Sequence, residues 1–594
     1  MSAIEISEGG VPPAERNAIG LSFGNSNSSI SYTTGEGKAE VIANQEGDRQ
    51  IPSILSYVDG EEYHGTQAKS HLVRNSKNTV AYFRDFLGKN FKSIDPTACH
   101  ASAHPQEHDS TVAFSIHETE SETPSTLTVS EIATRHLRRL RSAASEFMGK
   151  DINAAVVTVP TDFTDKQREA LTSASKNAGI DVLQLIHEPV AAMLAYDARP
   201  ESKISDKIVV VADLGGTRSD VAVCASRGGI YSILATAHDY SLGGAQLDQV
   251  LIDFFSKEFL KKHKEDPREN ARSLAKLKLE VEGTKKSLSL GANASLSVES
   301  LANGIDFSSS INRSRYELLA SKVFGGFTRL VEGAVQKAGL DVLHVDEVIL
   351  SGGTSHTPKI ARSFQSVFPA STILAPSTFP TAINPSELTA RGAAIQASLV
   401  QEFEQEDIEQ SIHPMVTVTP HLPNAIGVVF TGTEGDEKAT FRPLLEGETA
   451  VPARRTALFD APASGGDVLI RVCEGIREIS VTKPETQPKT NGKAKTSSEN
   501  ESDDEDDSDD EEEEIRNTVW KVGKTLAEAA VRGVTSAAEA GAGASKKKQK
   551  KIQIEVMANV AADLSVQITA REVGGKGGVR GGIEKAAIVE NGSA

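Results

Sequence analysis

The chain has 594 residues, 38% hydrophobic and 24% charged, which suffices for full-size cores in two to four domains. Its net charge of −19 gives no basic field for nucleic acid and no expectation of direct sequence-specific nucleic-acid binding. Most of that charge sits in one run: Glu499–Glu514 holds 13 acidic residues and no basic one, leaving −6 elsewhere. Cys99, Cys224 and Cys473 are far apart and odd in number, so no disulfide framework or metal spacing can be drawn from them. The N-terminus has neither a basic nor an apolar signal region, and no apolar run approaches spanning length, so a soluble cytoplasmic protein with no membrane partner is expected.

Residues 1–16, with Gly9, Gly10, Pro12 and Pro13, read as a flexible lead-in. Ala18–Tyr32 reads as strand, glycine-containing turn, strand. Asn78–Phe91 has helical apolar spacing, and residues 97–126 read as strands and loops. Thr128 with Glu131 forms a capping box that starts a helix through Met148. Ile152–Leu171 reads as a buried strand, a proline-containing loop and a helix capped by Thr164 and Gln167. Leu183–Tyr196 carries Glu188-Pro189 before an alanine-rich helix.

Lys207–Cys224, KIVVVADLGGTRSDVAVC, organises the chain. A β-branched apolar run argues for a strand covered on both faces. Asp-Leu-Gly-Gly follows, and its glycines let main-chain N–H groups approach an anion. Asp213 stands where a carboxylate can hold a metal-bound water beside a phosphate. Taken alone, the stretch reads equally as an ordinary glycine-turned hairpin. Ser241–Asp248 contains a second Gly-Gly turn, and Asp248–Leu290 reads as helical. Within it Glu282, Lys285, Lys286 and Ser289 share one face at i, i+3, i+4 and i+7; without the neighbouring motifs this is a solvated charged face. Val345–Ile360 reads as strand, Gly352-Gly353 turn, helix start. Ile383–Val400 is a last helix, and Gln401–Pro414 an acidic linker. A β pattern restarts at Met415 and runs to Val481. Residues 484–550 are expected to be a disordered insertion, with a short alanine-rich helix over Asn517–Ala544. Ser498, Ser502 and Ser508 each precede an acid by three residues, as acid-directed phosphorylation requires. Alternation resumes over Ile552–Val573.

The two glycine-turned hairpins, each opening half of one domain, resemble the actin-like ATPase superfamily. The motifs together resemble the heat-shock 70 kDa chaperone family, from about Asn17 to the C-terminus with gaps. That resemblance implies an α/β actin-like ATPase domain of two lobes over 17–400, then an all-β sandwich over 415–594 of the substrate-binding type; the helical lid of typical members is expected to be missing. It implies ATP as ligand. The phosphate turns would be Gly24, Asn25 and Ser26; Asp213, Gly215, Gly216 and Thr217; and Gly243 and Gly244. Glu282, Lys285, Lys286, Ser289, Gly352 and Gly353 would line the adenosine. Asp213 and Asp220 are the candidates for a magnesium side, and no metal site is otherwise indicated.

Departures from the family pattern shape the functional expectation. Ser22 stands where typical members have an aspartate, Arg84 where they have the catalytic lysine, and Thr217-Arg218 where they have Gly-Thr. Phosphoryl transfer rests on positioning and charge stabilisation, so these changes imply a nucleotide binder with little or no hydrolysis and no intact catalytic residue. With the leucine-poor linker, the pattern most resembles the atypical members found in fungal ribosome-associated complexes. Those pair stably with a J-domain protein of the zuotin type, reach the ribosome through it and stimulate a conventional heat-shock 70 chaperone on nascent chains. A conventional ATP-cycling chaperone and a small-molecule kinase of the actin-like superfamily are the alternatives; the kinase leaves the β region after residue 414 unexplained.

Overall fold

The computed structural model describes residues 16–118, 123–200, 202, 205–404, 406–408, 422, 424–430, 440–447, 449–461, 465–482, 515–535, 552–561, 565–574 and 578–583. The expectations for the lead-in, for the later half of the linker, and for the acidic run with Ser498, Ser502 and Ser508 lie outside these residues. Two compact units, Met1–Val416 and Thr417–Ala594, divide the chain.

The first unit is built on two sheets of the same design. In one, the spatial order is Ala39–Ile42, Asn27–Thr33, Ala18–Phe23, Ala154–Val159, Asp181–His187. The other runs Ile230–Asp239, Ser219–Arg227, Lys207–Leu214, Glu347–Ser351, Thr372–Leu374. In each, the central strand pairs antiparallel with its hairpin partner and parallel with the later strand. The hairpin similarity visible in the sequence therefore extends to five strands per lobe. Ala154–Val159 is buried at every position, which explains its lack of polar alternation.

Two helices, Glu188–Asp197 and Leu388–Val400, cross between these sheets. Their contact depends on small residues: a Cβ on Gly392 would lie 1.8 Å from the Ala191 carbonyl oxygen. Likewise, one on Gly20 would lie 2.1 Å from the Ala394 nitrogen. Both capping boxes form as read, Thr128 with Glu131 and Thr164 with Gln167. Beyond Val400, Arg16 donates to the carbonyls of Gln401 and Phe403, and Ile408 is buried against Ala397 and Val400. The first part of the acidic segment 401–414 thus packs on this unit.

Asn78–Phe91 is not a helix. It forms the short strand Thr79–Ala81 and a 3-10 turn at Arg84–Phe86. Tyr82 (φ 57°) and Gly88 (φ 72°) adopt left-handed backbone, which a helix cannot contain. The apolar spacing reflects burial of Val80, Phe83, Phe86 and Leu87 in the lobe core.

In the second unit, the described residues form two four-stranded sheets, antiparallel throughout. One has the order Thr440–Leu445, Ala425–Phe430, Gly466–Thr482, Ile515–Val534; the other runs Ala453–Asp460, Gln553–Val560, Val566–Glu572, Gly578–Ile583. Val428, Ile470, Val472, Val556 and Ala558 belong to one shared core. Here the expected insertion is corrected. Residues 515–534 are a strand rather than disordered chain or a short helix, paired with Gly466–Thr482 from Thr482↔Ile515 to Gly466↔Val534. Cross-strand pairing outweighs the helical preference of its alanines. Trp520 packs against Phe441, with ring centroids 5.1 Å apart.

One buried histidine carries a pH prediction. His136 is 1% exposed, lies among the rings of Phe23 and Phe83, and hydrogen-bonds the Ser28 hydroxyl at 3.0 Å. Burial pulls its pKa from 6.5 down to about 3. The unfolded ring accepts a proton near 6.5 and the folded ring does not, so this contribution is full above 6.5 and declines as pH falls toward 3. Glu188 and Asp213, whose carboxyls burial pushes up, act in the opposite sense. The difference between parent and His136→Gln isolates the ring. Between pH 7 and about 5, urea denaturation should show the variant losing about 2 kcal/mol less stability than the parent. Parallel pH profiles would refute the assignment.

Candidate nucleotide site

Four glycine turns converge in the first unit. The Gly244 and Ala245 N–H groups donate to the carbonyls of Gly215 (3.0 Å) and Gly216 (2.8 Å), and the Thr354 hydroxyl donates to the Gly215 carbonyl at 2.8 Å. Asn25 of the first turn donates to the Thr217 hydroxyl at 3.0 Å, joining the two hairpins. These turns have no room for side chains. A Cβ on Gly216 would sit 2.4 Å from Ser26 Oγ, and one on Gly244 would sit 2.8 Å from Thr354 Oγ1 and 3.2 Å from Lys285 Nζ. Gly352 has φ 80° and faces Asp213 Oδ1, so glycine is required there on two counts. Gly24 is equally confined, by the Asn27 carbonyl oxygen 2.2 Å from its Cβ position. The turns are thus locked to one another and to their surroundings through backbone: the Gly215 N–H donates to the Arg218 carbonyl and the Gly352 N–H to the Pro385 carbonyl, each at 3.0 Å.

The charged face of helix Ala271–Leu290 is only partly engaged. Lys285 donates to the Gly244 carbonyl at 3.0 Å and pairs with Asp248 at 2.8 Å. Glu282 pairs with Lys69 at 2.5 Å and with Lys286 at 2.8 Å. The Lys286 ion pair and the Ser289 hydroxyl bond stay within their own helix, while the Ser289 carbonyl accepts from Arg313 at 3.2 Å. Gly353 is exposed beside the Ser386 hydroxyl. So the structure brings Lys285 and the glycine turns together, ties Glu282 across to helix Gly65–His71, and leaves Lys286 and Ser289 at the margin. Nothing in the local sequence around Lys69 and Asp248 marks their side chains as partners of Glu282 and Lys285.

Below the turns lies a buried cluster of charge. Arg84, 5% exposed, pairs with Asp85 (2.6 Å) and Glu188 (3.4 Å) and donates to the Phe23 carbonyl. Arg218, also 5% exposed, donates from Nε to Asp220 (2.7 Å) and from Nη2 to Asp162 (2.8 Å) and Asp220, and stacks 4.4 Å from the Tyr240 ring centroid. His238 Nδ1 lies 2.6 Å from Asp220, and Asp162 also accepts from the Tyr240 hydroxyl. Burial pushes the Glu188 and Asp213 carboxyls up, and the two arginines draw them part of the way back. Asp162 is held below the usual carboxylate range: burial pushes it up, but Arg218, the Tyr240 hydroxyl and His238 outweigh that. Ser22 accepts a hydrogen bond from Thr389 at 3.0 Å and brings no charge. Asp162, Tyr240 and His238 were not foreseen, because strand pairing and loop approach alone place them here.

Residues 18–435 match the family described as Hsp70 protein. A heat shock protein 70 homolog of Schizosaccharomyces pombe is 47% identical over 478 residues, covering 80% of this chain and 83% of that protein. The ribosome-associated complex subunit SSZ1 of Saccharomyces cerevisiae is 45% identical over 463 residues, 78% of this chain and 84% of its own. Human heat shock 70 kDa protein 14 is 32% identical over 461 residues, 77% and 87% respectively. The chain belongs to the Hsp70 family, whose members bind ATP or ADP. Its two sheets, which share a five-strand order, agree with the actin-like ATPase fold of that family. No described helix is long and apolar enough to cross a membrane.

Proposed function

We propose that this chain is an ATP-binding, hydrolysis-impaired Hsp70-like co-chaperone, held in a stable heterodimer with a J-domain protein at the ribosome. In that setting it stimulates a conventional Hsp70 acting on nascent chains. The observation that carries the reading is that Arg84, the residue we assign to the catalytic-lysine position, is a buried guanidinium committed to Asp85 and Glu188. A guanidinium keeps its proton throughout and cannot stand in for a compact ammonium. Ser22, bonded to Thr389, offers no carboxylate to orient an attacking water. The interlocked glycine turns, by contrast, suit a polyphosphate and need no acid–base chemistry to bind one. A complex subunit among the relatives supports the heterodimer and the ribosomal setting.

The second unit would serve as the docking module, a β-sandwich of the substrate-binding type. Among the described residues, Thr440–Leu445 and Ile515–Val534 are the edge strands of its first sheet, and Val519 and Val522 on the latter are exposed. An extended partner segment added at such an edge gains main-chain hydrogen bonds and covers a surface that otherwise invites aggregation. Calorimetry with ATP should show binding, and a single-turnover assay should show hydrolysis far below that of a conventional Hsp70 run beside it. Equal turnover would refute the impaired reading and favour the ATP-cycling chaperone. For the docking reading, hydrogen exchange on the full-length chain with purified J-domain partner should show new protection within 422–583. Protection confined to 16–408 would overturn it.

A further inference from the structure

We propose that the Arg218 guanidinium takes the place of a divalent cation beside Asp162 and Asp220, so that this chain binds a nucleotide's polyphosphate without metal. The inference rests on the nucleotide reading above and specifies the form of the ligand.

Asp162, Asp220 and His238 offer ligand atoms within 4.8 Å of one another, a spacing suited to a cation. A cation is already there, because Nη2 of Arg218 donates to both carboxylates. The side chain is fixed from a third side by the Tyr240 ring at 4.4 Å. Magnesium fits these residues poorly. It demands six oxygen ligands at about 2.0–2.1 Å and retains several waters. The cavity bordered by Glu188, Asp213 and Asp220 is only ≈ 10 Å³, room for about one water. Of the acids facing it, Asp220 is bound by Arg218 and His238, and Asp213 accepts from the Ser351 hydroxyl at 3.2 Å. Ser22 adds no charge.

What a metal would supply is two positive charges beside the phosphates. Arg84 and Arg218 bring two permanent positive charges from the chain itself, each shared with carboxylates, Asp85 and Glu188 for Arg84, Asp162 and Asp220 for Arg218. A guanidinium presents five N–H donors, and Nη1 of Arg218 enters none of the bonds described above. Forked donors of this kind suit phosphate oxygens. Arg218 follows directly on the Gly215-Gly216-Thr217 turn, and its carbonyl accepts from the Gly215 N–H at 3.0 Å, which ties the cation to that turn.

The test is calorimetric titration of the full-length chain with ATP, once in EDTA and once in excess magnesium chloride. The two dissociation constants should agree within about threefold. Arg218→Ala should weaken ATP binding in EDTA by about tenfold or more, the loss of a charge-assisted contact, and magnesium should then restore part of it. Arg218→Lys, which keeps the charge, guards against a folding defect and should lose less than Arg218→Ala in EDTA. ATP binding by the parent that vanishes in EDTA overturns the proposal, as does an Arg218→Ala chain with parental affinity in EDTA. If the parent binds no ATP in either solution, the nucleotide reading fails on its own. The cation claim is then decided by manganese(II) titration followed by electron paramagnetic resonance. The parent should leave the ion free and Arg218→Ala should take it up; a bound ion in the parent overturns the claim.

Discussion

A Gly392→Ala chain should lose about 3 kcal/mol of stability or more, although alanine is the better helix former. Helix propensity alone favours the change by about 1 kcal/mol. Opposing it, the new methyl would lie 1.8 Å from the Ala191 carbonyl oxygen and 2.5 Å from its carbon, all backbone that no rotamer change can move. The helices Glu188–Asp197 and Leu388–Val400 must separate, and overpacking of that order costs about 1–3 kcal/mol or more. The matched control is Gly333→Ala in helix Ser321–Lys337, where a Cβ meets nothing within 4 Å. That change should stabilise by about 0.5–1 kcal/mol. Urea denaturation of both variants decides the matter. If Gly392→Ala is as benign as Gly333→Ala, the helices do not cross as closely as described.

The second large effect concerns charge. Arg84→Met keeps the length and apolar stem of the side chain but strands Glu188, which is 8% exposed, without its cation. Removing one partner of a buried pair costs about 3–5 kcal/mol. The penalty has a definite pH sign. Burial already holds the folded Glu188 pKa above its ordinary 4.5, and without Arg84 it rises further. A raised carboxyl destabilises most at high pH, where it must ionise, and the penalty fades as pH falls toward 4.5. The stability gap between parent and Arg84→Met should therefore be widest near pH 8 and narrow steadily at lower pH. A gap independent of pH would mean that the loss comes from packing alone.

Local chemistry was legible in the sequence, and long-range pairing was not. Thr128–Glu131 and Thr164–Gln167 announce their helices because a capping box is complete within four residues. The central hairpin was equally plain, since Ile208–Ala212 and Val221–Cys224 pair across one short turn. The fivefold strand match between lobes was not, because Ala154–Val159 and Glu347–Ser351 reach their sheets by long crossovers. Left-handed backbone at Tyr82 has no signature in a non-glycine residue, and it undid the helix expected over Asn78–Phe91. Alanines near 527–530 suggested a helix, yet a strand partner more than 50 residues earlier decided otherwise. In the site, the glycine turns, which the structure brings together, could be located from motifs. The cage around Arg218 could not, since Asp162 and Tyr240 come from separate loops.

The three cysteines, free of disulfides and buried, fall in three different packing regions: Cys99 in the first-lobe core, Cys224 beneath the second sheet, Cys473 in the second unit. Burial pushes the Cys99 and Cys224 thiols up to about 12, so at neutral pH they hold almost no reactive thiolate. The protein thus carries three natural reporters of its own breathing. Each sulfur becomes alkylatable only when its surroundings open, so peptide-resolved labelling against time ranks the three regions by their opening free energies. No probe need be engineered, and the order of labelling reveals which region yields first under heat, oxidant or mechanical load.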